Sequence, residues 1–117
     1  MRKSCLFCVS KHISQAIVLT LESVLGYPIH VWLAIGHLAE AESEACSKYP
    51  VFAREIRDVR LSLMGQKGTF SHNSLMDLLR KARKLAEETN QKPEEERIMQ
   101  ILTQSEQKTD GNYLPVM

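Results

Sequence analysis

The sequence predicts an all-α fold, an antiparallel N-terminal helical hairpin within a small bundle of about five helices. Apolar residues recur at three- and four-residue spacing through most of the chain, the period of one buried helix face. Gly and Pro punctuation at Gly26-Tyr27-Pro28, Tyr49-Pro50, Gly65 to Gly68 and Pro93 cuts that pattern into segments of helix length. No stretch carries the every-second-residue alternation of a half-buried strand.

The first helix is expected from about Val9 to Leu25, with Ile13, Ile17, Leu21 and Val24 on one stripe and Ala16 and Leu19 widening it. Gly26 can take the left-handed conformation that ends a helix, and Pro28 can open the next but cannot continue the last. The second helix then spans roughly Pro28 to Ser47, with Val31, Ala34, Ile35, Leu38, Ala41 and Ala45 facing in. So short a connection makes the two helices antiparallel neighbours. Trp32, beside the bend, is expected to plug the end of the core with its indole N–H reaching water.

The third helix covers Pro50 to Met64 through Val51, Phe52, Ile56, Val59 and Leu63. The fourth has the cleanest stripe, Leu75, Leu78, Leu79, Ala82, Leu85 and Ala86, with Ser71 or Asn73 as its cap and Asn90 closing it. Pro93 with Glu94, Glu95 and Glu96 reads as the start of a fifth, where carboxylates oppose the positive end of the helix dipole. Ile98, Ile101 and Leu102 anchor it. Residues 1–106 therefore read as a single helical domain, and residues 107–117 as a flexible tail.

At 117 residues the chain fits one domain, long enough for a core and short enough for a metal cross-link to matter. A net charge of +1 supplies no global field for nucleic acid or membrane. Three cysteines fit poorly with a fully paired disulfide framework and point to a reducing compartment. The start lacks a convincing signal-peptide pattern because Lys11 and His12 interrupt the apolar stretch. Glu22, Pro28 and His30 likewise exclude a membrane span from residues 13–36. A cytoplasmic protein is expected.

The sharpest chemical signal is Cys5-Leu6-Phe7-Cys8-Val9-Ser10-Lys11-His12. Two thiols three residues apart and an imidazole four residues on can converge on one point, three quarters of a tetrahedral zinc site. Folding the hairpin about Gly26 and Tyr27 sets Cys8 opposite Ala45-Cys46 and His12 opposite Ala41. The expected metal ligands are therefore Cys5, Cys8, His12 and Cys46, with Glu42 or water as alternatives for the fourth position. Ordinary packing of small thiols at a helix start explains the same residues without a metal. A redox dithiol is a third reading, since a helix N-terminus lowers a thiol pKa, though the strand that precedes such dithiols in thioredoxin-like folds is missing.

His30, His37 and Glu44 repeat every seven residues and line one stripe of the second helix, about 10 Å apart along it. That is too far to share one ion without ligands from another helix. A polar or partner-facing stripe is the plainer reading. Arg80-Lys81-Ala82-Arg83-Lys84 and the series Arg54, Arg57, Arg60 form the basic segments. Gathered on one face they would suit a phosphate backbone, but neighbouring Asp77, Glu87 and Glu88 fit a solvated helix. There is also an internal echo, His12-Ile13-Ser14-Gln15-Ala16 against His37-Leu38-Ala39-Glu40-Ala41, each followed further on by Tyr-Pro.

The run Gly26-Tyr27-Pro28-Ile29-His30-Val31-Trp32-Leu33-Ala34-Ile35-Gly36-His37-Leu38-Ala39-Glu40-Ala41-Glu42 resembles a pattern in short uncharacterised bacterial and phage proteins with a cysteine–histidine segment just upstream. The resemblance covers residues 5–60 and implies no activity.

These observations point to a non-enzymatic interaction or regulatory protein, pinned by a structural zinc over residues 5–47, that self-associates or docks a protein partner. No catalytic motif or small-molecule substrate is evident. The enzyme alternative is a helical metalloprotein in which His12, His37 and neighbouring Glu side chains hold a reactive ion with an open position. A nucleic-acid-binding adaptor is the second alternative.

Overall fold

The computed structural model describes residues 5–24, 29–65 and 73–107. Five helices occupy them in order: α1 (Leu6–Val24), α2 (His30–Ala45), α3 (Pro50–Gly65), α4 (Asn73–Glu88) and α5 (Lys92–Gln107). No strand occurs among the described residues, so the fold is all-α as the periodicity predicts. The bend at Gly26-Tyr27-Pro28, the residues 66–68, the candidate cap Ser71 and the tail beyond 107 lie outside the described residues.

The expected stripes form the core. Ile13, Ala16, Ile17 and Leu21 of α1 meet Ala34, Leu38, Ala41 and Ala45 of α2, all buried. Small alanines at three of these four α2 positions let the two helices approach closely. Leu75, Leu78, Leu79, Ala82 and Ala86 of α4 and Ile98 and Leu102 of α5 close the other side. Thus α1 is the central element, touching α2, α4 and α5, while α3 packs on α2 and more lightly on α4.

Local chemistry ends the elements where expected. Asn90 takes a positive φ of 59°, a conformation asparagine tolerates, and the Gln91 N–H bonds back to the Ala86 carbonyl at 2.8 Å. The Gln91 amide also donates to the Tyr49 hydroxyl at 2.8 Å, fastening the α4–α5 turn to the start of α3.

Two differences from expectation bear on function. First, α1 starts at Leu6, three residues before Val9. The first amides of a helix lack internal partners, and here one neighbouring and one distant side chain supply them. Cys8 N–H donates to Cys5 Sγ at 3.3 Å, and Phe7 N–H donates to a Glu94 carboxylate oxygen of α5 at 2.9 Å. The second acceptor lies 87 residues away in sequence, so local pattern could not reveal it. Second, Trp32 does not plug the core. It is 62% exposed, because the inward stripe of α2 falls on Ala34 and Leu38 and turns Trp32 outward.

Candidate functional site

The seam between α1 and α2 carries a ladder of polar partners. Near the bend, His30 Nδ1 lies 2.9 Å from Glu22 Oε1. Midway, the Nδ1 atoms of His12 and His37 stand 3.0 Å apart with ring centroids 5.2 Å apart. At the far end Cys8 and Glu44 share one cavity, and the Glu44 charge is felt at the Cys8 thiol. His30, His37 and Glu44 are the seven-spaced stripe of α2, so the stripe faces α1 and finds a polar side chain at each step.

The hairpin expectation set His12 opposite Ala41. The imidazole instead meets His37, one turn nearer the bend, because Ala41 is wholly buried in the apolar core while His37 holds the half-buried edge. Residues 25 apart in the internal echo also share their environment. Ile13 and Leu38 are fully buried, as are Ala16 and Ala41. The two echoed histidines touch each other, as self-equivalent residues do at the centre of an antiparallel pair.

A hydrogen bond between the two Nδ1 atoms requires one ring to donate its Nδ1–H and the other to accept at a bare Nδ1. Partial burial lowers the His37 pKa from its ordinary 6.5, and the neighbouring His12 lowers it further, while Glu40 pulls the other way. Cys8 is pushed up to about 11, first by its side-chain hydrogen bond with Cys5, then by burial and by the negative charges of Cys5 and Glu44, against a smaller opposing effect of Lys11. A thiol held protonated at neutral pH is the opposite of the activated dithiol considered above.

The imidazole pair separates two concavities. One, of about 470 Å³, is lined by Cys8, Lys11, His12, Gln15, His37 and Glu44, with Ile101 of α5 at its wall. The other, of about 510 Å³, is apolar along Leu19, Trp32, Leu33 and Gly36 and rimmed by Gln15 and Glu40. Lys11 lines the first but carries its ammonium 5.4 Å from the Phe7 ring centre.

Of the residues expected to bind metal, Cys5 and Cys8 lie within one helical turn, and the Cys5 thiol also reaches Glu94 at 3.6 Å. His12 stands one turn beyond. Cys46 is exposed at the C-cap of α2 and lines neither concavity. Glu42 is engaged elsewhere, accepting from Arg60 Nε at 3.1 Å and Nη2 at 2.9 Å. Among the described residues, no three His, Cys, Asp or Glu side chains are gathered into a ready-made ligand set. The basic run on α4 is matched by carboxylates: Arg80 pairs with Asp77 and Glu106, Lys81 with Glu55 and Arg83 with Glu95.

The hairpin register did not anticipate the His12–His37 contact, although the metalloprotein alternative brought these two histidines to one ion. The contact's signals were the seven-residue stripe and the echo, neither of which fixes the register between two helices. No described helix is long and apolar enough to cross a membrane. No family model matches the chain, and no curated protein or solved structure matches it either.

Proposed function

We propose that the chain is a small non-enzymatic interaction module. The outer face of α2 receives a helix of a partner protein, and a structural zinc at the thiol–imidazole end braces the hairpin that presents this face. One observation carries the docking role. Ile29, Trp32 and Leu33 are 69%, 62% and 53% exposed on a helix whose opposite stripe is already buried. With Gly36 they follow i, i+3, i+4, i+7 spacing, the signature of a helix face that packs against another helix. A contiguous exposed apolar patch marks an interaction surface, and tryptophan is the side chain most often found anchoring one. A Cβ built on Gly36 meets nothing within 4 Å, so a partner backbone can approach closely there.

Phe7, 25 residues before Trp32, supplies the pattern for the missing cover. It is half-buried, with the Arg97 guanidinium of α5 5.5 Å from its ring centre. A helix over Trp32 would do for α2 what α5 does for α1. Placing a photo-crosslinking residue at position 33, and as a control at position 84 on α4, tests this in cells of origin. Adducts from 33 alone, abolished by Trp32→Ala, are expected; adducts between identical chains would redirect the module to self-association. Equal yields from both positions, or none from 33, would end the docking assignment.

The metalloenzyme alternative is favoured by the 470 Å³ cavity beside the imidazole pair. Hydrolytic or redox turnover that requires added metal and is lost in His12→Ala would support it. The carboxylate partners of the α4 cations favour a solvated face over a phosphate-binding one.

A further inference from the structure

We propose that a divalent ion of the zinc class binds across the α1–α2 seam on His12 and His37, with Cys8 and Glu44 as the remaining ligands. This ligand set rests on the metal half of the proposed function and moves it from Cys5 and Cys46 to His37 and Glu44. It does not depend on the docking role of Trp32.

Geometry supplies the first argument. Zinc–nitrogen bonds of about 2.0–2.1 Å at a tetrahedral angle place two ligand nitrogens about 3.3 Å apart. The His12 and His37 Nδ1 atoms are 3.0 Å apart, so an ion is seated between them by a few tenths of an ångström of opening together with a turn of both rings that aims the two nitrogens at it. Because the two rings come from different helices, the ion cross-links the hairpin.

The second argument is the donor set. Cys8 lies one turn before His12 on the same face of α1, and Glu44 two turns after His37 on the same face of α2. Both line the cavity that the imidazoles border. Because no three such side chains already converge among the described residues, this ligand set requires the thiol and carboxylate to turn about their own side-chain bonds towards the ion. Two imidazoles, one thiolate and one carboxylate suit zinc or cobalt better than magnesium or calcium. Cys5 is already used as the acceptor for the Cys8 amide, and Cys46 is exposed at the helix end.

Proton bookkeeping follows. Each coordinating ring carries its proton on Nε2, which releases none from a neutral pair. The Cys8 thiol gives one proton to solvent, so binding tightens as pH rises.

Cobalt(II) titration of the reduced full-length chain tests the ligand set, read by the thiolate-to-cobalt charge-transfer band and the visible bands of a tetrahedral ion. One cobalt per chain is expected. Cys8→Ser should abolish the charge-transfer band, and His37→Ala should weaken binding by more than about tenfold, since metal sites lose that much even with a supporting residue. His37→Gln, which keeps a polar side chain, should weaken it as well, with circular dichroism checking the fold. Cys5→Ser and Cys46→Ser should bind as the parent does. Loss of binding in either of these with retention in both His37 variants would overturn the ligand set and leave the metal reading standing. Absence of any thiolate–cobalt band in the parent chain would overturn both.

Discussion

The starts of α1 at Leu6 and α2 at His30 lie one residue off the 25-residue register of the internal echo, yet the molecule treats them differently. At α1, Cys5 Sγ and the Glu94 carboxylate accept the first amides, Leu6 and Val9 are fully buried, and α5 lies over Phe7. At α2, Ile29 holds the cap position in helical conformation with no side-chain hydrogen bond, and Ile29, Trp32 and Leu33 face outward. The contrast teaches that α1 is completed from within the chain, by a helix almost ninety residues away in sequence. Nothing among the described residues does the same for α2. An apolar helix start that no described residue covers, on a molecule that closes its counterpart with a tertiary partner, is the physical case for docking there.

The largest expected effect breaks the contrast directly. Leu6→Ala removes a fully buried side chain and should cost about 2–5 kcal/mol. Trp32→Ala, a larger truncation at the other start, should fall within about 0.5 kcal/mol, as surface substitutions do. Urea denaturation of the two variants measures both. A Trp32→Ala cost near that of Leu6→Ala would mean the indole is covered in solution.

Next comes the tie between α5 and α1. Glu94→Ala leaves the Phe7 amide without its charged acceptor, and hydrogen bonds to charged groups contribute about 1.5–3 kcal/mol. Glu94→Gln keeps an acceptor and should recover part of the loss. Equal stability of the Ala variant and the parent would show that α5 covers α1 by apolar contact alone. Cys5→Ala should cost about 1 kcal/mol as a lost helix cap, whereas Cys5→Ser, with a better acceptor oxygen, should not destabilise.

These ties also mark where the sequence ceases to be legible. The five helices were readable because each carries one apolar stripe and recognisable punctuation: Leu75, Leu78, Leu79 and Ala82 on α4 needed no partner to identify their inward face. The polar stripe of α2 was readable as a stripe, but not as the row that meets Glu22, His12 and Cys8. Facing residues of two helices depend on how far each is shifted along its axis, and hydrophobic periodicity is blind to that shift. Cys5 looked like a free ligand because nothing local reveals Glu94, whose carboxylate meets the Cys5 thiol and the Phe7 amide from α5. Trp32 was misplaced for a related reason. A large aromatic beside a bend suits a core plug, but the 100° step from Ala34 to its neighbours decides which side chain turns inward.

The smallest effect comes from the point where the two echoed segments touch. In metal-free protein His37 titrates below its ordinary 6.5, chiefly because burial disfavours the charged ring and because His12 stands against it. Between the two values the unfolded chain binds the proton that the folded chain refuses. Stability is therefore intact above pH 6.5 and declines as the pH falls through that value towards the folded pKa. The ring is only half-buried, so solvent keeps the slope shallow. Thermal melts in chelator across pH 5 to 8 should show the decline in the parent chain and a flatter profile in His37→Gln. Saturating zinc sharpens the test: if the ion holds both Nδ1 atoms, protons must displace it, and the acid-side decline steepens in the parent but not in the variant. A steepening that survives His37→Gln but disappears in Cys46→Ser would instead place the ion at the far end of α2, away from the imidazole pair.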